Sequence, residues 1–123
     1  MLMSLLLVTA SPALQANSTP THPFTFERLE SDYRWYADIR NTDAVLVRAV
    51  PPGTLFWNAL DTLQNAGARC SGDNRDPRLA RCTYSERIVL NDYYPADAVW
   101  TVLLHLEDGK AVNATISRDI DER

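Results

Sequence analysis

Residues 98–120 read AVWTVLLHLEDGKAVNATISRDI, and this stretch has the pattern of a β-hairpin. Asp108 and Gly109 stand at its centre, and Asp-Gly is a favoured two-residue hairpin turn. Because alternate residues of a strand point to the same face, the pattern predicts two antiparallel strands that each bury one face. The apolar residues that would share this face occupy every second position on either side of the turn: Trp100, Val102, Leu104, Leu106, Val112, Ala114 and Ile116.

A helix is predicted upstream of the hairpin, where residues 51–67 read PPGTLFWNALDTLQNAG. The Pro-Pro-Gly segment predicts a turn, and Thr54 is the expected N-cap of the helix. Gly67 is expected at the left-handed position that follows a helix. Between these signals, apolar residues recur at helical spacing: Phe56, Ala59, Leu60 and Leu63.

Three further segments complete the predicted fold. Residues 79–89 and the β-branched run at residues 44–50 are predicted to be strands, whereas residues 24–43 favour a helix but also fit a strand pattern. The predicted fold is α+β, a two-layer sandwich of one or two helices packed on a three- to four-stranded antiparallel sheet. The expected core joins sheet and helix residues: Trp100, Val102, Leu104 and Ile116 with Phe56, Leu60 and Leu63.

Cys70 and Cys82 are the only cysteines of the chain, and residues 71–81 separate them. A redox pair of the Cys-x-x-Cys kind has two intervening residues, and a zinc site needs about four ligands. The chain offers only two histidines besides these cysteines, in no spacing typical of zinc. If the chain is exported, the sequence therefore predicts a disulfide.

Export is predicted from residues 1–16, which read MLMSLLLVTASPALQA and resemble a signal peptide. No Lys or Arg precedes the apolar run, so the alternative that this segment is not a leader stays open. The remaining chain is expected to comprise a flexible N-terminus at residues 17–27, one disulfide-linked domain at residues 28–118 and a tail at residues 119–123. No cysteine stands beside the expected cleavage site, so no lipid anchor is predicted.

Composition and motifs narrow the class of function. The chain is 46% hydrophobic with a net charge of −4, which indicates one folded domain and argues against a nucleic-acid-binding role. No later segment has the apolar length that a membrane span requires. The sequence contains no GxSxG, HExxH, phosphate-loop or GxGxxG motif, so we predict a non-catalytic protein without cofactor or metal.

Two polar segments are candidate partner-binding sites. The first is the arginine loop, with Arg75, Arg78 and Arg81, since arginine pairs with carboxylates and stacks on aromatic rings. The second is the aromatic loop, where Tyr93 and Tyr94 are adjacent and only one of them is expected to be buried. The alternatives are a solvated loop, neutralised by its own aspartates, and ordinary packing of the tyrosines on the sheet.

An alternative function uses His105 with Glu107, which are expected on the face of the strand opposite Trp100. A histidine beside a carboxylate is a common acid–base pair. This arrangement would suit a small hydrolase or a ligand-binding protein, although a surface histidine in a strand also explains it.

The runs VPPGTLFWNALDTLQNAG (residues 50–67) and WTVLLHLEDGKAV (residues 100–112) resemble the small outer-membrane assembly lipoproteins of the SmpA/OmlA (BamE) type and β-lactamase-inhibitor-like domains. Thr54 stands where that family has methionine, no lipobox cysteine is present, and no functional residue carries over. The resemblance implies a periplasmic or secreted module that binds other proteins, either envelope-associated or inhibitory. The residues that carry it are Val50, Gly53, Leu60, Leu63, Gly67, Trp100, Leu104, Gly109 and Val112.

Overall fold

The computed structural model describes residues 23–36 and 39–122. In these ranges the chain forms three helices and five strands. In chain order they are α1 (Phe26–Tyr36), α2 (Ile39–Ala49), β1 (Thr54–Leu55), α3 (Phe56–Asn65), β2 (Arg69–Gly72), β3 (Leu79–Leu90), β4 (Tyr94–Glu107) and β5 (Lys110–Asp121).

The five strands form one curled antiparallel sheet in the order β1-β5-β4-β3-β2, which has the form of a half-barrel. The predicted two-layer sandwich with three or four strands and one or two helices is therefore wrong. The prediction missed β1 and β2, which are too short to show an alternating pattern. It also assigned a strand to residues 44–50, which belong largely to α2.

Residues 44–49 are helical because the side chains that pack in the core recur at helical spacing, although the β-branched residues of this run favour a strand. Thr42, Leu46 and Val50 recur every four residues, and each is at most 3% exposed. That spacing brings all three to one face of a helix, whereas a strand would bury alternate residues. Tertiary packing thus overrides the preference of valine for strands.

The predicted helix before the hairpin is confirmed as α3, and its C-terminus has the expected geometry. Gly67 adopts a left-handed φ of +112°. Its N–H donates to the carbonyl of Gln64, and the N–H of Ala68 donates to the carbonyl of Leu63. These two bonds are those of a Schellman motif. The predicted N-cap is wrong, because Thr54 lies in β1 and donates its hydroxyl to the carbonyl of Pro51.

The predicted hairpin is confirmed as β4 and β5. Asp108 and Gly109 both have positive φ, 52° and 77°, as a type I′ turn requires. A register shift after His105 places Ala111 opposite Leu106, so Val112 is an extra residue. This bulge makes Ala111 buried and Val112 exposed, so the predicted placement of Val112 on the buried face is wrong.

The helices and one face of the sheet enclose the core. Trp100, Val102, Leu104 and Leu63 are fully buried in one cluster, against which Ile116 and other apolar residues of the predicted core pack. Phe26 of α1 joins this cluster and stacks on Tyr84, with ring centres 5.5 Å apart. A smaller cluster of Ile88, Ala96 and Ala98 lies nearer the β3–β4 turn.

The described elements extend slightly beyond the expected domain at residues 28–118. Helix α1 begins at Phe26, and β5 continues to Asp121, which includes part of the expected tail at residues 119–123. The expected leader at residues 1–16, and residues 17–22 of the expected N-terminal segment, lie outside the described residues.

Candidate functional site

A cleft of about 250 Å³ opens between the β2–β3 loop and the end of β4. The registered pairing of β3 with β4 creates it, since Leu79 stands opposite His105. The backbone N–H of Leu106 donates to the carbonyl of Arg78 at 2.7 Å, which holds the loop against β4. The walls of the cleft are formed by Asp76, Arg78, Leu79, His105, Leu106 and Glu107.

Two aspartates shape the loop that forms one wall of the cleft. Asp73 Oδ1 accepts hydrogen bonds from the backbone N–H groups of Arg75 and Asp76, at 2.7 and 3.1 Å. Asp76 Oδ1 accepts from the backbone N–H and from Nε of Arg78, at 2.9 and 3.2 Å. Aspartates commonly stabilise turns in this way, so the rim of the cleft is ordered by local contacts.

The cleft carries charges of both signs. Hydrogen bonds from the backbone and side chain of Arg78 lower the pKa of the Asp76 carboxyl, and the charge of His105 contributes less. Asp76 is therefore ionised at neutral pH and already paired, whereas Glu107 has an exposed carboxylate on the same cleft. Arg78, His105 and Glu107 offer hydrogen-bonding groups around one cleft, an arrangement that could hold a small polar ligand.

The structure brings together residues that the sequence analysis assigned to different functions. Arg78, from the predicted partner-binding set, lines the cleft with His105 and Glu107, the predicted acid–base pair. Arg75 is exposed in the same loop, and Arg81 is exposed on β3, opposite Leu103.

The tyrosines of the predicted partner-binding set lie at the other end of the sheet. Strand β3 leads from the arginine loop at Leu79 to the aromatic loop after Leu90. At ~3.3 Å per residue, the strand separates these ends by about 35 Å. The arginines and tyrosines therefore do not form one contiguous surface.

Tyr93 and Tyr94 form the tip of the β3–β4 hairpin, and both are exposed, by 81% and 61%. The expectation that one of them is buried is wrong, because the covering helices pack on the large cluster around Trp100. The turn is well defined, since Asn91 and Asp92 adopt left-handed φ values of 50° and 63°. The rings of the two tyrosines lie 6.4 Å apart at their centres.

The sequence analysis missed a buried ionic cluster between α1 and the sheet. Glu30 is fully buried and accepts hydrogen bonds from Trp100 Nε1 at 2.7 Å and from Arg118 at 2.8 and 2.9 Å. Arg34 bridges Glu30 at 3.2 Å to Glu86 at 2.9 Å. A signal for Glu30 was present, because it lies one helical turn after Phe26 on the apolar side of α1.

Burial and pairing have opposite effects on Glu30. Burial raises the pKa of its carboxyl, but the hydrogen bonds from Arg118 and Trp100 and the charges of Arg118 and Arg34 outweigh this effect. The net pKa lies below the ordinary value, so Glu30 is ionised in the folded protein. This cluster is part of the interior and positions α1 on the sheet.

Two exposed tryptophans were also missed. Trp35 on α1 is 82% exposed, and Trp57 on α3 is 74% exposed. The only sequence signal for their exposure is that both positions lie off the apolar face of their helices.

The predicted disulfide between Cys70 and Cys82 is confirmed. Within residues 23–36 and 39–122, no helix is both long and apolar enough to cross a membrane. In the same ranges, no three His, Cys, Asp or Glu side chains come together as a potential metal site.

Comparisons with protein families, with curated protein sequences and with solved structures found no match to this chain. The resemblance to the SmpA/OmlA (BamE) lipoproteins therefore stays a hypothesis.

Proposed function

We propose that this chain is an exported, non-catalytic module that binds another protein through the tip of the β3–β4 hairpin. The exposure of Tyr93 and Tyr94 at one well-defined turn carries the proposal. Val89, which is 62% exposed, extends this apolar surface along β3. Tyrosine is enriched at protein interfaces because it combines a large apolar ring with a hydroxyl and has few rotatable bonds.

The structure of the hairpin supports a binding role for its tip. Strands β3 and β4 pair without interruption from Leu79 opposite His105 to Leu90 opposite Tyr94. The N–H of Tyr93 donates to the carbonyl of Leu90 at 3.0 Å, which closes the turn. A preorganised loop loses little conformational entropy on binding, so more of the contact energy is available for affinity.

The charge around the tip indicates the chemistry of the partner. Asp92 lies in the turn beside the tyrosines, and Asp97 pairs with Arg87 at 3.1 Å further along the hairpin. The exposed carboxylate of Asp92 and the two rings fit a protein surface that offers an apolar groove with a basic residue at its rim. An envelope component and an enzyme inhibited by this chain are the two kinds of partner that we consider.

The Cys70–Cys82 disulfide supports export, because structural disulfides persist in oxidising compartments. We therefore propose a location in the periplasm or outside the cell, which the signal-peptide-like segment at residues 1–16 also supports. The two observations are independent, since one is a covalent bond of the folded domain and the other a sequence pattern.

The proposal is tested by affinity capture with the tagged full chain in its oxidised form, from envelope and culture-supernatant extracts. We expect the native chain to capture one protein in stoichiometric amount. Trp57→Ala, which removes an exposed aromatic side chain on α3 instead of at the tip, is the control and should capture the same protein. The double variant Tyr93→Ala/Tyr94→Ala should lose it. A partner that survives the double variant, or no stoichiometric partner at all, would overturn binding through this tip.

The cleft supports a second candidate, a ligand-binding protein that uses His105 with Glu107. The observation that favours it is the arrangement of both side chains with Arg78 around one cavity. NMR titration of the His105 imidazole resonances against sets of small carboxylates, phosphates and amines would test it. Saturable shifts that Glu107→Gln abolishes would support this function, and unchanged resonances across all sets would exclude it.

A further inference from the structure

Among the residues that the structure describes, no strand pairs with a long part of one edge of β5. Strand β1 pairs only with its first two residues, Thr54 opposite Ala111 and Leu55 opposite Lys110. Beyond the bulge, residues 113–120 pair with β4 on one side only, and β5 has no other neighbour within the described sheet. An edge of this kind is a template for pairing with another chain.

The ladder pattern determines which backbone groups point out from this edge. The Cα atoms of Cys70 and Cys82 are 4.0 Å apart, which identifies a non-hydrogen-bonded pair. Since the two kinds of pair alternate, Cys82 is hydrogen-bonded to Val102 on its other side, and Val102 forms a non-hydrogen-bonded pair with Ile116. The N–H and C=O of Ile116 therefore point away from β4.

Observed hydrogen bonds agree with this alternation. It requires the N–H of Leu79 to point toward the β2 side, and that group donates to the carbonyl of Asp76 at 3.0 Å. On the free edge of β5, the carbonyl of Ala111 accepts from the N–H of Gly53 at 2.8 Å. No backbone bond from the described residues reaches the outward groups beyond it, which belong to Ala114, Ile116, Arg118 and Ile120.

The residues of this edge lack the features that usually prevent edge-to-edge pairing. Residues 112–117 read VNATIS, with no proline and no charge. Lysine, proline and short length are the common guards of edge strands, and none of them protects β5 between its bulge and Arg118.

The free part of β3, residues 84–90, provides a contrast. The most extensive antiparallel pairing of this segment with a copy of itself is centred on Arg87. It sets Arg87 against Arg87, and like charges directly opposite each other are destabilising. On β5, a pairing centred on Ile116 sets Arg118 against Ala114, and one centred on Ser117 sets Arg118 against Ile116. Neither brings two arginines opposite each other.

We propose that two copies of this chain associate through β5, antiparallel across a two-fold axis at Ile116 or Ser117, into one continuous sheet. Both registers match outward-pointing groups with outward-pointing groups and keep the core faces of the two sheets on the same side. Asp119 then faces Asn113 or Thr115, so no like charges meet. The occupant of the edge is a second copy, since self-pairing satisfies both edges at once.

Amide hydrogen exchange of the full chain, measured residue by residue at a series of protein concentrations, tests the proposal. As the dimer forms, exchange of the Ile116 and Arg118 amides should slow by about ten-fold or more. The amides of Thr115 and Ser117 donate within the β4–β5 ladder and should be protected at every concentration. Protection of Ile116 that does not depend on concentration would mean that this chain or another ligand covers the edge, and would overturn the proposal.

A charge-reversal pair gives a second test, read by light scattering as the mass of the species in solution. Ser117 is exposed on the face opposite the core, and Ser117→Lys would bring like charges together across the two-fold axis. We expect this variant and Ser117→Glu to be monomeric, and their mixture to form the dimer. Ser85→Lys, on the same face of β3, is the control and should stay dimeric. A native chain that is monomeric throughout, or a dimer unaffected by Ser117→Lys, would contradict pairing through β5.

Discussion

Arg118 and Glu30 form a two-pronged ion pair between positions 88 residues apart in the chain. Arg118 donates from Nε to Glu30 Oε1 at 2.8 Å and from Nη2 to Oε2 at 2.9 Å. The guanidinium also lies 4.4 Å from the ring centre of Tyr33, one helical turn beyond Glu30. The pair thereby joins the first helix to the last strand inside the core.

Glu30→Gln should destabilise the protein by about 3 kcal/mol or more, because it leaves Arg118 buried without its charged partner. The side chain of Arg118 is 13% exposed, so water can compensate for little of this loss. Urea unfolding followed by tryptophan fluorescence measures the change. The double variant Glu30→Met/Arg118→Met removes both charges and should be more stable than Glu30→Gln. A loss below about 1 kcal/mol for Glu30→Gln would show that the pair contributes little.

The contribution of Glu30 should depend on pH in a direction set by its pKa. The folded pKa lies below the ordinary value of 4.5, so the folded state favours the ionised carboxylate. The stabilisation is therefore fully present above pH 4.5 and is lost as the pH falls through the folded pKa. The difference in unfolding free energy between native protein and Glu30→Gln, measured across this range, should be constant near neutrality and shrink in acid. A difference that grows in acid would contradict the assignment.

Loss of the disulfide should destabilise the domain by about 3 kcal/mol, since the bond closes a loop between positions 12 apart in sequence. Cys70→Ser/Cys82→Ser, compared with the native protein in urea, measures the effect. Strand β2 has only four residues. Loss of the bond should therefore speed up hydrogen exchange of the β2 amides by a larger factor than that of the β4 amides. Equal stability of the two proteins would mean that the β2–β3 pairing is independent of the bond.

Gly67→Ala should destabilise the protein by about 1 kcal/mol or more, because Gly67 has a left-handed backbone. An added Cβ would lie 3.4 Å from Cδ1 of Tyr84, an ordinary contact distance, so the expected loss comes from the backbone conformation. Gly72→Ala is the matched control, since its Cβ would meet no atom within 4 Å. Thermal unfolding of both variants should show a lower midpoint for Gly67→Ala, and similar midpoints would refute the argument.

The elements that could be predicted are those whose sequence signals are local. The Asp108-Gly109 turn, α3 with Gly67 at its end, and β3 were all identified from neighbouring residues. The Cys70–Cys82 bond was also predictable, because the chain contains no other cysteine to compete with this pairing.

The predictions that failed concern residues whose environment is set by distant parts of the chain. Val112 alternates with Ala114 in sequence, yet the bulge that displaces it lies in the pairing of β5 with β4. Strand β2 forms against β3 and carries no alternation of its own over four residues. The common cleft of Arg78 and His105 likewise depends on the register of β3 with β4.

The sequence by itself determined the Asp108-Gly109 turn, the Gly67 cap of α3 and which apolar side chains are available to a core. These features depend on backbone preferences that act over a few residues. Only the tertiary structure decided that residues 44–49 are helical, that Glu30 stays ionised in the core, and that most of β5 has a strand on one side only among the described residues. Each of these depends on contacts between residues far apart in sequence, whose free energies exceed the local preferences of about 1 kcal/mol that a single sequence reveals.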